Sequence, residues 1–185
     1  MQSLSARASF RLASRLCAVV AAATPPAAEA RLTYLGPTST DSPLSSGAMR
    51  RQFGLKLRAQ DGCNLVYAMW RIEPESKLVV SIKSNPGMHA SSECGNGGYR
   101  NIKPRRSLPV PRLKFGDSHS LLADMNGSEM RVSVDGSVVW AGDLGPEALT
   151  FDGPVGVRTD NGRFEFQLLA RQIGTPVPCG AAAKE

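Results

Sequence analysis

An all-β fold, an antiparallel sandwich or jelly roll, is what this 185-residue sequence predicts. Three observations predict it. Asn126-Gly127 and Asp135-Gly136 stand between short alternating runs, and both dipeptides suit two-residue hairpin turns, whose central residues need positive φ. Apolar and polar residues alternate with period two from Phe53 to Ala59 and again from Lys77 to Lys83, the mark of strands with one face on a core. Nowhere do apolar residues recur at the three-and-four spacing of an amphipathic helix over several turns. Roughly eight to ten short strands at regular spacing follow from these patterns.

In chain order, residues 1–30 read as a targeting segment. Arg7, Arg11 and Arg15 come first, then the short apolar run Leu16 to Ala23, then the small-x-small site Ala28-Glu29-Ala30, with cleavage expected after Ala30. Export is the first reading; an organellar transit peptide and an unprocessed tail are the alternatives, because no acid precedes Glu29. Cys17 is an ordinary member of the apolar run. Residues 31–48, rich in Ser, Thr, Pro and Gly, read as a linker or a loosely attached first strand around Leu32 to Leu35.

The β-sandwich domain is expected over 49–170. Phe53, Leu55, Leu57 and Ala59 face inward, with Gly54, Lys56 and Arg58 on a wet face, before a turn at Asp61-Gly62. Asn64 to Ile72 is apolar or aromatic on both faces and therefore central. Lys77 to Lys83 puts Leu78, Val80 and Ile82 inward. Ser84 to Gly116 is a long loop with Gly95-Asn96-Gly97-Gly98 and prolines at 104, 109 and 111; a loop of that length is functional or stapled. A meander of three strands runs from Ser120 to Trp140. Val155 to Arg158 and Arg163 to Leu169 are expected to form a further hairpin across Asp160-Asn161-Gly162. Residues 171–185 form a C-terminal tail.

Composition narrows the function. The net charge is +6, with 42% hydrophobic and 21% charged residues, so the chain is neither disordered by composition nor membrane-embedded. The apolar run near the N-terminus falls short of the roughly 20 residues a spanning helix needs; no membrane span is expected. Lys103-Pro104-Arg105-Arg106, with Arg112 and Lys114, is the densest basic stretch. It lacks the interleaved aromatics of a nucleic-acid surface and reads as a solvated loop.

Beyond Cys17, three cysteines remain: Cys63, Cys94 and Cys179. Cys63 with Cys94 is the preferred disulfide, tying the long loop to a strand and contributing about 3–4 kcal/mol by chain entropy; Cys94 with Cys179 stays open. Two histidines, His89 and His119, and no close cysteine spacing speak against zinc. Asn126-Gly127-Ser128 is formally a glycosylation acceptor.

The order His119-Ser120-Leu121, Met130 to Gly136, Trp140 and Gly153-Pro154-Val155-Gly156-Val157-Arg158 resembles the closing strands of the concanavalin A-like lectin and glucanase superfamily, including laminin-G-like jelly rolls and keto-disaccharide hydrolase-type domains. The resemblance covers about Met49 to Leu169 and is sharpest over its last part. It implies a jelly-roll sandwich and a carbohydrate partner, in an exported glycan-binding or adhesion module that is secreted, periplasmic or at the cell surface. A glycoside hydrolase of the same fold and a non-catalytic structural or partner-binding domain are the alternatives. The glucanase branch carries two glutamates flanking an aspartate on one strand; no Glu-x-Asp-x-x-Glu occurs here, which counts against hydrolysis. Calcium, known in this superfamily, would find oxygen ligands at Asp152, Asp160 or Asn161, but a turn accounts for Asp160-Asn161-Gly162, and no cofactor is assigned.

Sugar binding wants aromatic faces for pyranose rings and planar polar groups for hydroxyls. Tyr67, Met69 and Arg71 share one face of the central strand, Ser81 and Lys83 point the same way from its neighbour, and Tyr99 and Asn101 lie in the long loop. Tyr67, Arg71, Lys83, Tyr99 and Asn101 are thus the candidate ligand-binding residues. The competing reading packs Tyr67 and Met69 into a core and uses Tyr99 to hold the loop down. Glu73 and Glu93 are the weak candidates for a catalytic acid–base pair, which must flank one bond at about 5–9 Å.

Overall fold

The computed structural model describes Leu4–Phe10 and Arg15–Val19 as backbone, and residues 27–171. Among the described residues thirteen strands form two antiparallel sheets. They are β1 (Leu4–Phe10), β2 (Arg15–Val19), β3 (Ala27–Pro37), β4 (Arg51–Leu57), β5 (Leu65–Glu73), β6 (Lys77–Lys83), β7 (Tyr99–Asn101), β8 (Arg106–Ser107), β9 (Ser118–Asn126), β10 (Glu129–Val134), β11 (Ser137–Asp143), β12 (Gly156–Asp160) and β13 (Gly162–Arg171). The back sheet runs β1-β13-β3-β9-β10-β11-β8 and the front sheet β2-β12-β4-β5-β6-β7. One helical turn, α1 (Ser91–Cys94), interrupts the loop after β6.

Alternation decides which side chains meet between the sheets. Phe53, Leu55 and Leu57 of β4, Val66, Ala68 and Trp70 of β5, and Leu78, Val80 and Ile82 of β6 face Leu121, Met130, Val132 and Trp140 of the back sheet in one core. Each fully buried large side chain contributes about 1.5–3 kcal/mol relative to exposure. Phe164 of β13 lies 5.1 Å from the Phe53 ring and 5.3 Å from Tyr34, joining the two layers at one end.

The β9-β10-β11 meander forms as its turn residues predict, with one shift. Val134 pairs with Ser137, so Asp135 (φ 50°) and Gly136 (φ 81°) are the two turn residues. In the first hairpin Asn126 pairs with Glu129, which moves the turn to Gly127-Ser128, with Gly127 at φ 59°. Gly there supplies the positive φ at the first turn position, and Asn126 stays extended.

Three expectations are corrected. β12 and β13 do not form a hairpin: β12 pairs with β2 and β4 in the front sheet, and β13 with β1 and β3 in the back sheet. Asn161, at φ 55°, carries the chain across from one layer to the other. The stretch read as a linker contains most of β3, a strand held between β13 and β9. Its inward residues Ala28, Ala30, Leu32 and Tyr34 are buried, but two are alanines, too small to make an apolar stripe in sequence. Cleavage after Ala30 would cut β3 four residues into its length. Finally, the wet face expected of β4 is covered: Gln52 and Lys56 are 4% and 8% exposed, because the other face of β4 lies under side chains of β5 and β12. The rest of the expected targeting segment (1–3, 11–14, 20–26) and the tail with Cys179 lie outside the described residues.

Candidate functional site

The outer face of the front sheet holds a groove of about 370 Å³, within the range of small-ligand sites. Strand registers set its floor in cross-strand rows. Asp160, Gln52 and Arg71 form one row; Arg158, Gly54, Met69 and Val79 the next; Lys56, Tyr67, Ser81 and Asn101 a third; Leu65, Lys83 and Tyr99 a fourth. Gly54 is required where it stands, because a Cβ there would run into the Met69 sulfur and the Ala68 carbonyl.

Loops form two walls. The loop after β6 contributes Ser91, Gly95 and Asn96, and the loop between β3 and β4 contributes Leu44, Ser45, Ser46 and Arg50. The first wall is fastened by the Cys63–Cys94 disulfide. The Lys83 ammonium sits beneath it, 3% exposed, donating at 3.0 Å to the carbonyls of Gly62 and Gly95. Burial lowers its pKa, and the nearby Arg158 charge adds to the effect. Asp61 anchors the same wall: its Oδ1 accepts from the backbone N–H groups of Cys63 and Asn64 at 2.7 and 2.8 Å, and Oδ2 lies 2.8 Å from His89 Nδ1. The second wall hangs on Asn161, whose amide donates to the carbonyls of Ser42 and Arg50 and accepts from Ser42 N–H, each at 2.9 Å.

Between the walls the aromatic and charged groups interlock. Tyr67 and Tyr99 stack at 6.0 Å and 23°. Arg158 lies over the Tyr67 ring at 5.4 Å and Lys83 over Tyr99 at 5.2 Å, contacts worth about 0.5–2 kcal/mol each. Arg158 also donates to Asp160 at 2.9 and 3.2 Å and to the Tyr99 hydroxyl at 3.3 Å. Asp160 accepts a further bond from Gln52 at 2.7 Å. Burial alone would lower the Arg158 pKa; the attraction and hydrogen bonds of Asp160, helped by both tyrosines, reverse the sign and raise it.

All five candidate ligand residues line this groove, in different roles. Tyr99 is 39% exposed and Tyr67 only 5%, so Tyr99 offers the accessible ring and Tyr67 backs it. Lys83 spends its protons on the loop. Asn101 is exposed and Arg71 partly so. Glu73 and Glu93 do not line the groove: Glu73 pairs with Arg51 at 2.6 Å, and the Glu93 carboxylate caps α1 by accepting from the His89 and Ala90 N–H groups, which hold its pKa down. Of the oxygen ligands considered for calcium, Asp160 and Asn161 are engaged as above and Asp152 lies 3.7 Å from Arg58. The described residues hold no cluster of His, Cys, Asp or Glu suited to a metal ion. Sequence reading missed Gln52, Arg50, Arg158 and Asp160. Gln52, Arg158 and Asp160 were accessible in principle, since each alternates with inward apolar residues on its strand.

No model of a known protein family and no curated protein matches the chain. Solved structures do. The carbohydrate-binding module CBM66 from Bacillus subtilis is similar at TM-score 0.57 and 13% identity, over 89% of this chain and 91% of its own. Congerin II, in a structure with lactose and MES, reaches 0.51 at 12% identity, over 84% and 98%. The Caenorhabditis elegans galectin LEC-6 reaches 0.50 at 12%, over 90% and 96%. What these similarities show is the fold, an antiparallel jelly-roll β-sandwich. Among the described residues no helix is long and apolar enough to cross a membrane.

Proposed function

We propose that this concanavalin A-like domain is a glycan-binding module, exported to serve in adhesion or glycan capture, with its saccharide lying in the front-sheet groove. The observation that carries the reading is the exposed Tyr99 ring, backed by Tyr67 and flanked by the planar donors Arg158 and Asn101. An aromatic face held rigid beside oriented polar groups is the arrangement that binds a sugar's apolar face and its hydroxyls together. The carbohydrate-binding module and lectins of similar fold support the same reading. Export is supported by the N-terminal charge and apolar pattern and by the disulfide, which persists in oxidising compartments. A leader cut ahead of Ala27 would leave β3 whole. Among the described residues it would take away the edge strands β1 and β2 and spare the described groove lining, which runs from Leu44.

Titration of the protein against a panel of oligosaccharides, on an array and then by calorimetry, tests the reading. Tyr99→Ala is expected to weaken the best ligand about 5- to 20-fold, as removal of an aromatic contact of about 1–2 kcal/mol requires. Absence of binding to every saccharide at millimolar concentration would refute it.

A further inference from the structure

The groove carries more positive charge than its own contacts consume. Among the described residues four basic side chains line it, Arg50, Arg71, Lys83 and Arg158, against a single carboxylate, Asp160. Asp160 is committed to Arg158 and Gln52, and Lys83 to two carbonyls. Arg50 and Arg71 remain. Neither guanidinium has an ion-pair partner among the described residues, and the Arg71 Nε is buried without a hydrogen-bond partner. A buried donor left unbonded costs about 1–3 kcal/mol, more when charged. The like charge of Arg50 is close enough to add to burial in lowering the Arg71 pKa, and Glu75 offsets this only in part.

The fold holds this pair in place. Arg71 shares the row of Gln52 and Asp160 at one end of the floor, and Asn161 fixes the Arg50 backbone above it. Ser45 and Ser46 stand on the same wall. Two guanidinium groups without an ion-pair partner among the described residues, with neighbouring hydroxyls, make a site for a planar anion, since arginine's fork matches carboxylate geometry.

We infer that the groove selects acidic saccharides, with Arg50 and Arg71 receiving a sugar carboxylate at the end of the site remote from Lys83. This inference rests on the glycan-binding reading and specifies its substrate class. A neutral sugar would leave the two charges in mutual repulsion; a uronate supplies the opposite charge.

The test compares oligogalacturonate with its fully methyl-esterified form by calorimetry, with neutral galacto-oligosaccharides and sulfated heparin oligosaccharides as further arms. The expected result is at least 10-fold tighter binding of the free acid than of the ester, with affinity falling as NaCl rises. Arg71→Gln and, separately, the partly exposed Arg50→Gln should each cut the acid-to-ester ratio several-fold while Tyr99→Ala lowers both affinities alike. Thermal melts confirm that each variant is folded, and Arg50→Gln, remote from the core, keeps the test decisive if Arg71→Gln is not. Equal binding of acid and ester, preference for the neutral sugars, or a ratio untouched by Arg50→Gln would overturn the inference and leave the glycan-binding reading standing. Preference for the sulfated arm over the uronate would overturn the carboxylate assignment. Binding of none of the four would overturn the inference, and the glycan-binding reading falls with it only if the wider oligosaccharide panel is also silent.

Discussion

Two Asp-Gly turns, alike in sequence, do different work. Asp135-Gly136 closes a two-residue hairpin in the back sheet; its carboxylate accepts from Ser120 N–H at 2.8 Å and lies 2.6 Å from His119 Nδ1. Asp61-Gly62 also accepts backbone N–H bonds and also meets a histidine, His89. Yet Asp61 precedes a disulfide and holds the wall of the groove, and its side chain is 14% exposed where that of Asp135 is 48%. In the hairpin the strands set the conformation and the carboxylate trims it. In the loop few strand contacts exist, so the carboxylate and the disulfide supply the order themselves.

That contrast can be broken by removing its parts. The largest effect is expected from Cys63→Ala with Cys94→Ala: opening a loop of 31-residue separation costs about 3–4 kcal/mol in urea unfolding. Saccharide affinity should fall with it, because Gly62, Gly95 and Ser91 lose their fixed positions. A double variant as stable as the parent would show that the wall orders itself without the bridge.

Next, Asp61→Ala should cost about 2 kcal/mol, since it strands two backbone N–H groups and the Asn64 amide. Burial pushes the Asp61 pKa up, but the bonds from His89, Cys63 and Asn64 more than offset this and hold it below the ordinary 3.8. A depressed folded-state pKa means stability that is complete above the unfolded value and lost as pH falls through the folded one. The parent should therefore lose this stabilisation below about pH 4, and Asp61→Ala should show a shallower acid limb over that range. Identical acid limbs would contradict the assignment.

The smallest effect is expected from Asp135→Ala, about 1 kcal/mol, with saccharide binding unchanged. A loss of binding there would mean that the hairpins reach the groove after all.

Strands with clear alternation, β4 and β6, were legible in the sequence, as were β5 by its two apolar faces, the Asp135-Gly136 turn and the Cys63–Cys94 pair. Tyr67, Arg71 and Lys83 could be put on one side because parity along β5 and β6 is local information, whereas Tyr99 and Asn101 entered as residues of the long loop. β3 was legible only in part, as a loosely attached first strand around Leu32 to Leu35, since Ala28 and Ala30 give no apolar stripe and their burial comes from neighbours far along the chain. The front-sheet place of β12 was hidden for a related reason. Asp160-Asn161-Gly162 looks the same whether it folds a hairpin or crosses between layers, and only Gln52, more than a hundred residues earlier, decides. Arg50 lay beyond local reading because a loop side chain has no parity to betray its direction.

The chain's three Asn-Gly dipeptides, at 96, 126 and 161, will also age at different rates. Succinimide formation needs the following backbone nitrogen to reach the side-chain carbonyl carbon, which demands a free amide and a yielding backbone. Asn161 is 1% exposed and bonded on both its amide oxygen and nitrogen, so its deamidation is arrested while the protein is folded. Asn96 and Asn126 are exposed, each ahead of a glycine. Chemical ageing therefore deposits new negative charge on the back-sheet hairpin and on the groove wall at Asn96, and spares the hinge that holds Arg50 over the groove.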